Sequence, residues 1–115
     1  MATSKQLDPE IQYIRQLAES GFSDVLTLRR DTAERVLTKK RVELIKEISD
    51  QKVDSVRDLS RRVDRDVSIV SRDLDILFEA DIIKFERNGR AKQPVLAHKN
   101  VFVEPIVYDG AVLTE

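Results

Sequence analysis

Cysteine is absent from the chain, which removes disulfides, thiolate metal sites and cysteine nucleophiles together. Histidine occurs once, as His98 at a strand end, where a lone imidazole is usually structural or exposed rather than catalytic or metal-binding. The glycines Gly21, Gly89 and Gly110 are isolated, so there is neither a phosphate-cradling loop nor a dinucleotide-binding cluster. Asp73 and Asp75 stand two apart on a helical stretch, share no face and make a poor acid–base pair. An enzyme is not expected, and no catalytic residue, cofactor or metal site is assigned. No apolar run approaches the length of a membrane span. No N-terminal charged-then-apolar segment suggests export, and the expected compartment is the cytoplasm. Internal repeats and low-complexity segments are also missing.

What remains is a chain of 115 residues, enough for one domain with a modest core. Apolar residues make up 41% and charged residues 36%, which fits a soluble, globular chain rather than a disordered one. A net charge of −1 does not announce a nucleic-acid binder, so the distribution of charge has to decide. Residues 29–46 carry seven basic and three acidic groups, and residues 84–99 carry five and one. Residues 100–115 hold three acids and no Lys or Arg. Charge is thus sorted by segment, as expected if one face meets phosphate.

The stretch from Ser55 to Ala97 organises the rest. Ser55 can cap a helix by accepting from backbone donors left unpaired in its first turn. Val56, Leu59 and Val63 give that helix one apolar face, and Asp58 is placed to pair with Arg61 or Arg62. The chain turns through Val63-Asp64-Arg65, and Asp66 can cap a longer second helix. Val67, Val70, Leu74, Leu77 and Phe78 form the apolar side of the second helix, with Ser68, Ile69, Ser71 and Arg72 on the other. Ile82, Ile83 and Phe85 follow as a β-rich run. Asn88-Gly89 then predicts a type I′ hairpin turn, because both residues tolerate positive φ. Lys84, Arg87, Arg90 and Lys92 surround that turn against one acid, Glu86. Helix, turn, helix, strand and basic hairpin in this order outline a winged helix-turn-helix. The fold class expected is mainly α with a small β-sheet, a winged helix-turn-helix with an N-terminal extension.

Upstream, Asp8-Pro9 predicts a helix start, and Ile11, Ile14, Leu17 and Ala18 repeat at helical spacing until Ser20-Gly21. Residues 25–28 are β-prone, and Arg29 to Leu37 reads as a short helix. Thr38 can cap a helix through Val42, Leu44, Ile45 and Ile48. That helix starts with Lys39-Lys40-Arg41, basic where its dipole prefers acids, which suggests a nearby anion such as DNA phosphate. The alternative is a solvated charged face. Val53 could add a short strand to the wing sheet. The last apolar stretch, Val101, Phe102, Val103, Ile106 and Val107, is interrupted by Pro105, which restricts it to an edge or a strand end. Its partner could be the wing, the 25–28 strand or a second subunit. The division expected is a helical extension at 1–37 with a possible dimerisation role, a DNA-binding domain at 38–107 and a tail at 108–115.

From about Thr38 to Val107 the chain resembles the small archaeal and bacterial winged-helix regulators described as MarR-like or ArsR-like. The metal-sensing branch of those regulators uses cysteine clusters, which this chain lacks. The resemblance implies a DNA-binding transcriptional regulator with a recognition helix at about 67–80 and a basic wing at about 84–94. In such proteins the second helix of the motif enters the major groove, and a charged wing grips phosphate or the minor groove. Candidate DNA-contacting residues are Lys39, Lys40 and Arg41, Ser55 and Arg57, and Arg65 in the turn. The recognition helix adds Ser68, Ile69, Ser71 and Arg72, and the wing adds Arg87, Arg90 and Lys92. Arg72 could reach a guanine edge, and Ile69 a thymine methyl.

Two readings follow. One is a sequence-specific regulator binding double-stranded DNA as a homodimer, with no membrane partner and no small-molecule ligand inferable. The other is a winged-helix protein-interaction module, such as an antitoxin or a complex subunit. The acids Asp64, Asp66, Asp73 and Asp75 favour the second, and the wing with Lys39-Lys40-Arg41 favours the first.

Overall fold

The computed structural model describes residues 9–106. Asp8 as a cap, Val107 and the tail at 108–115 lie outside the described residues. The elements in chain order are α1 (Pro9–Glu19), β1 (Val25–Leu28), α2 (Arg30–Val36), α3 (Lys39–Asp50), α4 (Val56–Val63) and α5 (Val67–Glu79), followed by β2 (Ile83–Asn88), β3 (Ala91–Leu96) and β4 (Asn100–Val103). The winged helix-turn-helix occupies α3 to β3.

Helices α3, α4 and α5 begin where short polar side chains satisfy orphan N–H groups. Thr38 Oγ1 accepts from the Arg41 N–H at 3.3 Å, Ser55 Oγ from Asp58 at 3.0 Å, and Asp66 Oδ1 from Ser68 at 2.8 Å. The turn between α4 and α5 closes on Asp64, which is left-handed at φ 56°. Aspartate is among the few residues other than glycine that visit this region readily. The Arg65 N–H then reaches back to the carbonyl of Ser60 at 3.0 Å, as in a Schellman closure. Gly21 ends α1 at φ 97°, with Phe22 N–H on the carbonyl of Leu17 at 3.0 Å.

The core lies where α3, α4, α5 and the hairpin converge. Leu44, Leu59, Val70, Leu74 and Leu77 are fully buried, with Val53, Ile82 and Ile83 nearly so. Val70, Leu74 and Leu77 recur at spacings of four and three, which is one face of α5. Phe78, expected on that face, is 48% exposed, because it lies one step around the wheel from Leu77. Its ring packs on Phe85 of β2 instead, with centroids 5.5 Å apart.

The hairpin β2–β3 is antiparallel, with Asn88 opposite Ala91. The two-residue loop is therefore Gly89-Arg90, one residue later than expected. Only Gly89 has positive φ, 65°, which suits the first central position of a type II′ turn and not the type I′ turn expected at Asn88-Gly89. Val53 does not extend this sheet. Its carbonyl accepts from the amide of buried Gln93 at 3.0 Å, a side-chain bond where a strand pairing was expected.

β4 takes one of its three expected partners. It pairs parallel to β1, from Val25 opposite Asn100 to Leu28 opposite Val103. Glu104 beyond the strand accepts from the Arg30 N–H at 3.0 Å, so the end of β4 caps the start of α2. Asp24, with φ 52°, binds His98 Nδ1 at 2.8 Å and the Lys99 N–H at 3.1 Å, fastening the other end of the strand pair. Ile11 and Ile14 of α1 stay exposed at 45% and 42%. Among the described residues no helix is long and apolar enough to cross a membrane.

Candidate nucleic-acid interface

The start of α4, the start of α5 and the wing enclose a groove of about 490 Å³. Six of the thirteen candidate residues line it: Ser55, Arg57, Ser68, Ser71, Arg90 and Lys92. Its apolar surface comes from Val56, Val67, Phe85 and Ala91. Those four were absent from the candidate set: Phe85 was read as part of a β-rich run, and Val56 and Val67 as parts of apolar helix faces. Lys92 Nζ stands 4.6 Å from the centroid of the Phe85 ring, so the aromatic face holds the ammonium over the groove.

The electrostatics follow from who is already paired. Arg61 and Arg62 of α4 both turn to Asp58, at 3.4 and 3.2 Å. Arg62 also donates to Gln51 Oε1 at 2.7 Å. Arg57, the third arginine of α4, forms no ion pair among the described residues, and it is the one in the groove. Arg90 and Lys92 are likewise without a carboxylate partner, and the lining contains no acid. The hydrogen bond from the Asp54 N–H keeps the Asp58 carboxyl below the usual aspartate range, and Ser68 does the same for Asp66. Both acids stay ionised where they hold the helix starts. The groove can receive an anion with an apolar neighbour. With no carboxylate or imidazole in its lining, it offers no general base.

Its walls are tied together. Asn88 Nδ2 donates to the carbonyl of Asp54 at 3.1 Å, and Gln93 to that of Val53, so the hairpin is fastened to the loop before α4.

The other candidates lie elsewhere. Ile69 is 50% exposed, and Arg72 is exposed on α5 without an ion pair among the described residues. Arg87 is exposed opposite Lys92 on the hairpin. Lys39 and Lys40 are exposed at the start of α3. Arg41 and Arg65 differ from the rest, because the scaffold engages both guanidinium groups. Arg41 Nε bonds Asp73 Oδ1 at 3.0 Å, and its Nη1 bonds the carbonyls of Arg35 and Val36 at 3.2 and 3.3 Å. Arg65 is only 13% exposed, with Nη2 on the carbonyl of Lys40 at 3.1 Å and Nη1 within 3.7 Å of Asp73. The basic start of α3 therefore has a partner of its own in Asp73, and for Arg41 no outside anion is needed.

A family model described as HVO_A0114 matches residues 36–103. No curated protein matches the chain significantly. Among solved structures, the chain is similar to the homodimeric winged helix-turn-helix DNA-binding domain of a possible ArsR-family transcriptional regulator from Mycobacterium bovis. The TM-score is 0.54 at 13% identity, covering 82% of this chain and 75% of that one. That likeness is one of fold and supports the winged-helix class. Neither match separates a MarR-like from an ArsR-like branch.

Proposed function

This chain belongs to the HVO_A0114 family, and we propose that it is a sequence-specific DNA-binding transcriptional regulator acting as a homodimer. The observation that carries the reading is the groove between α4, α5 and the wing, with three cations lacking carboxylate partners among the described residues and no acid in its lining. In this reading Arg57, Arg90 and Lys92 meet phosphates, while Ser68, Ile69 and Arg72 present the exposed side of α5 to base edges. Ser55 and Ser71 are small enough to admit the backbone closely. Residues 38–107 contact DNA, and the extension through residue 37 serves assembly. The fold neighbour is a homodimeric DNA-binding domain, which supports both halves of the proposal.

The acids that favoured a protein-interaction module are partly spent. Asp73 is held by Arg41 and Arg65, and Asp66 caps α5, which leaves Asp64 and Asp75 exposed near the recognition helix. Mobility-shift titration with a random duplex at two salt concentrations tests the proposal. Phosphate binding should weaken steeply between them. No shift at the lower salt would overturn DNA binding and favour the protein-interaction module.

A further inference from the structure

A second cavity, of about 510 Å³, opens between α2, the start of α3 and the last turn of α5. Its polar lining is Thr32, Arg35, Arg41 and Glu79, and its apolar lining is Val36, Ile76 and Ala80. Arg35 and Glu79 face the same space, yet they form no ion pair with each other or with any other described side chain. The hydroxyl of Thr32 makes no hydrogen bond among the described residues. Arg41 spends Nε on Asp73 and Nη1 on two carbonyls of α2, which leaves Nη2 as its remaining donor.

A cavity with an uncommitted cation, an uncommitted anion and an apolar wall matches a ligand carrying both charges and an apolar body. We propose that it is an effector site for a small zwitterion, an α-amino acid with an apolar side chain. Arg35 and Arg41 Nη2 receive the carboxylate, as guanidinium groups do most strongly. Glu79 receives the ammonium at the C-terminal end of α5, where the helix dipole also favours a cation. Val36, Ile76 and Ala80 cover the side chain, and Thr32 adds a hydrogen bond.

The site is wired to the recognition helix, a consequence that rests on the DNA-binding reading. Ile76, Glu79 and Ala80 belong to α5 itself or its cap, and Arg41 links the cavity wall to Asp73, the residue after Arg72. A carboxylate drawn to Arg41 competes with Asp73 for one guanidinium. Loading the cavity should therefore loosen the link between α3 and α5 and weaken DNA binding.

The test is amide chemical-shift titration of the full chain without DNA, so its outcome does not depend on whether DNA is bound. The probes are L-leucine, L-valine and L-isoleucine, each against the carboxylate and the amine of the same skeleton. The expected result is saturable shifts at residues 32–36 and 76–80 for at least one amino acid, extending to Asp73 and Arg65. Both truncated analogues should bind about tenfold more weakly or worse, since each loses a charge-assisted contact. Arg35→Gln and Glu79→Gln, both at exposed positions, should each weaken binding similarly while the rest of the spectrum stays in place. Absence of saturable shifts, equal binding of a carboxylate or amine alone, or shifts confined to the wing overturns the site. Shifts at the cavity that stop short of Asp73 overturn its coupling to α5.

Discussion

Arg41 Nε donates to Asp73 Oδ1 at 3.0 Å, joining the first turn of α3 to the middle of α5 across 32 positions of sequence. Both side chains are largely shielded, at 17% and 15% exposure, and Asp73 also faces Arg65 at 3.7 Å. One carboxylate therefore serves two guanidiniums, and Arg65 Nη2 also lies 3.5 Å from Glu43 Oε1. The orientation of α5 on its scaffold rests on this contact as well as on Val70, Leu74 and Leu77.

Asp73→Asn should accordingly destabilise the fold, because it leaves shielded Arg41 without a counter-charge and Arg65 with only Glu43, 3.5 Å from its Nη2, at nearly constant shape. The expected loss is about 2–4 kcal/mol, a little below that of breaking a fully buried pair. A lower urea midpoint at unchanged slope is the measurement. An unchanged midpoint would show that the triad contributes nothing. Arg41→Gln should likewise lower the midpoint and leave the salt dependence of DNA binding as it was.

The wing makes the opposite prediction. Arg90 and Lys92 are exposed on a hairpin whose turn depends on Gly89 and not on them. Replacing both with Ala should leave stability nearly unchanged and weaken binding to specific and random duplex alike. The slope of log affinity against log salt should flatten by roughly 2, about 0.9 for each phosphate contact. Equal binding to both duplexes before and after the change would remove the wing from the interface.

These two cases show what was legible in the sequence. Ser55, Thr38 and Asp66 as caps, and the apolar faces of α4 and α5, depend on residues within a few positions of each other, and local spacing reveals them. The hairpin was legible as a hairpin, but the turn slipped by one residue. Asn88 is used to hold Asp54 from across the groove, a contact no local pattern shows. Arg41 and Arg65 read as surface cations because their partner Asp73 is distant in sequence. The same limit left the partner of β4 open among three, of which β1 is the one taken, and hid the side-chain bond that replaced a strand at Val53. The local position of Asp58, three and four residues before Arg61 and Arg62, did separate those two from Arg57, and the structure pairs them so.

Base reading should fall chiefly to Arg72. It is exposed on α5, opposite the buried face, and its neighbour Asp73 is occupied by Arg41 and Arg65. Arg72→Ala should cost about 1–3 kcal/mol on the preferred site, relax one base position and leave the fold intact. Site selection on both proteins decides. Identical motifs with equal preference at every position would mean that Arg72 reads no base.

Assembly should depend on α1. Ile11 and Ile14 stand exposed at 45% and 42%, while Leu17 on the same helix is buried. A second copy covering the two isoleucines explains why apolar side chains repeat on that surface. Light scattering at micromolar concentration should give a dimer mass, and Ile11→Glu with Ile14→Glu should give a monomer. The bound DNA should then carry two half-sites centred roughly one turn, about 10 bp, apart. A monomer from the unaltered chain would rule this out.

Acid stability offers the last test, and it isolates the clasp at the end of the β1–β4 pair. The hydrogen bond with His98 holds the Asp24 carboxyl below its ordinary value of 3.8, as the contacts described above do for Asp58 and Asp66. Each group therefore binds its proton less readily in the fold than in the unfolded chain. The resulting stabilisation is complete above pH 3.8 and is lost as the pH falls through the lower folded values. Asn is the informative substitution at Asp24, because it tolerates the left-handed backbone there, φ 52°, and removes the charge together with one acceptor oxygen, much as protonation does. Asp24→Asn should melt below the unaltered protein at neutral pH, and the two should converge as the pH drops below the ordinary aspartate value. Melting curves that stay parallel from pH 6 to pH 2 would show that the ionised carboxylate of Asp24 does not hold the strands together.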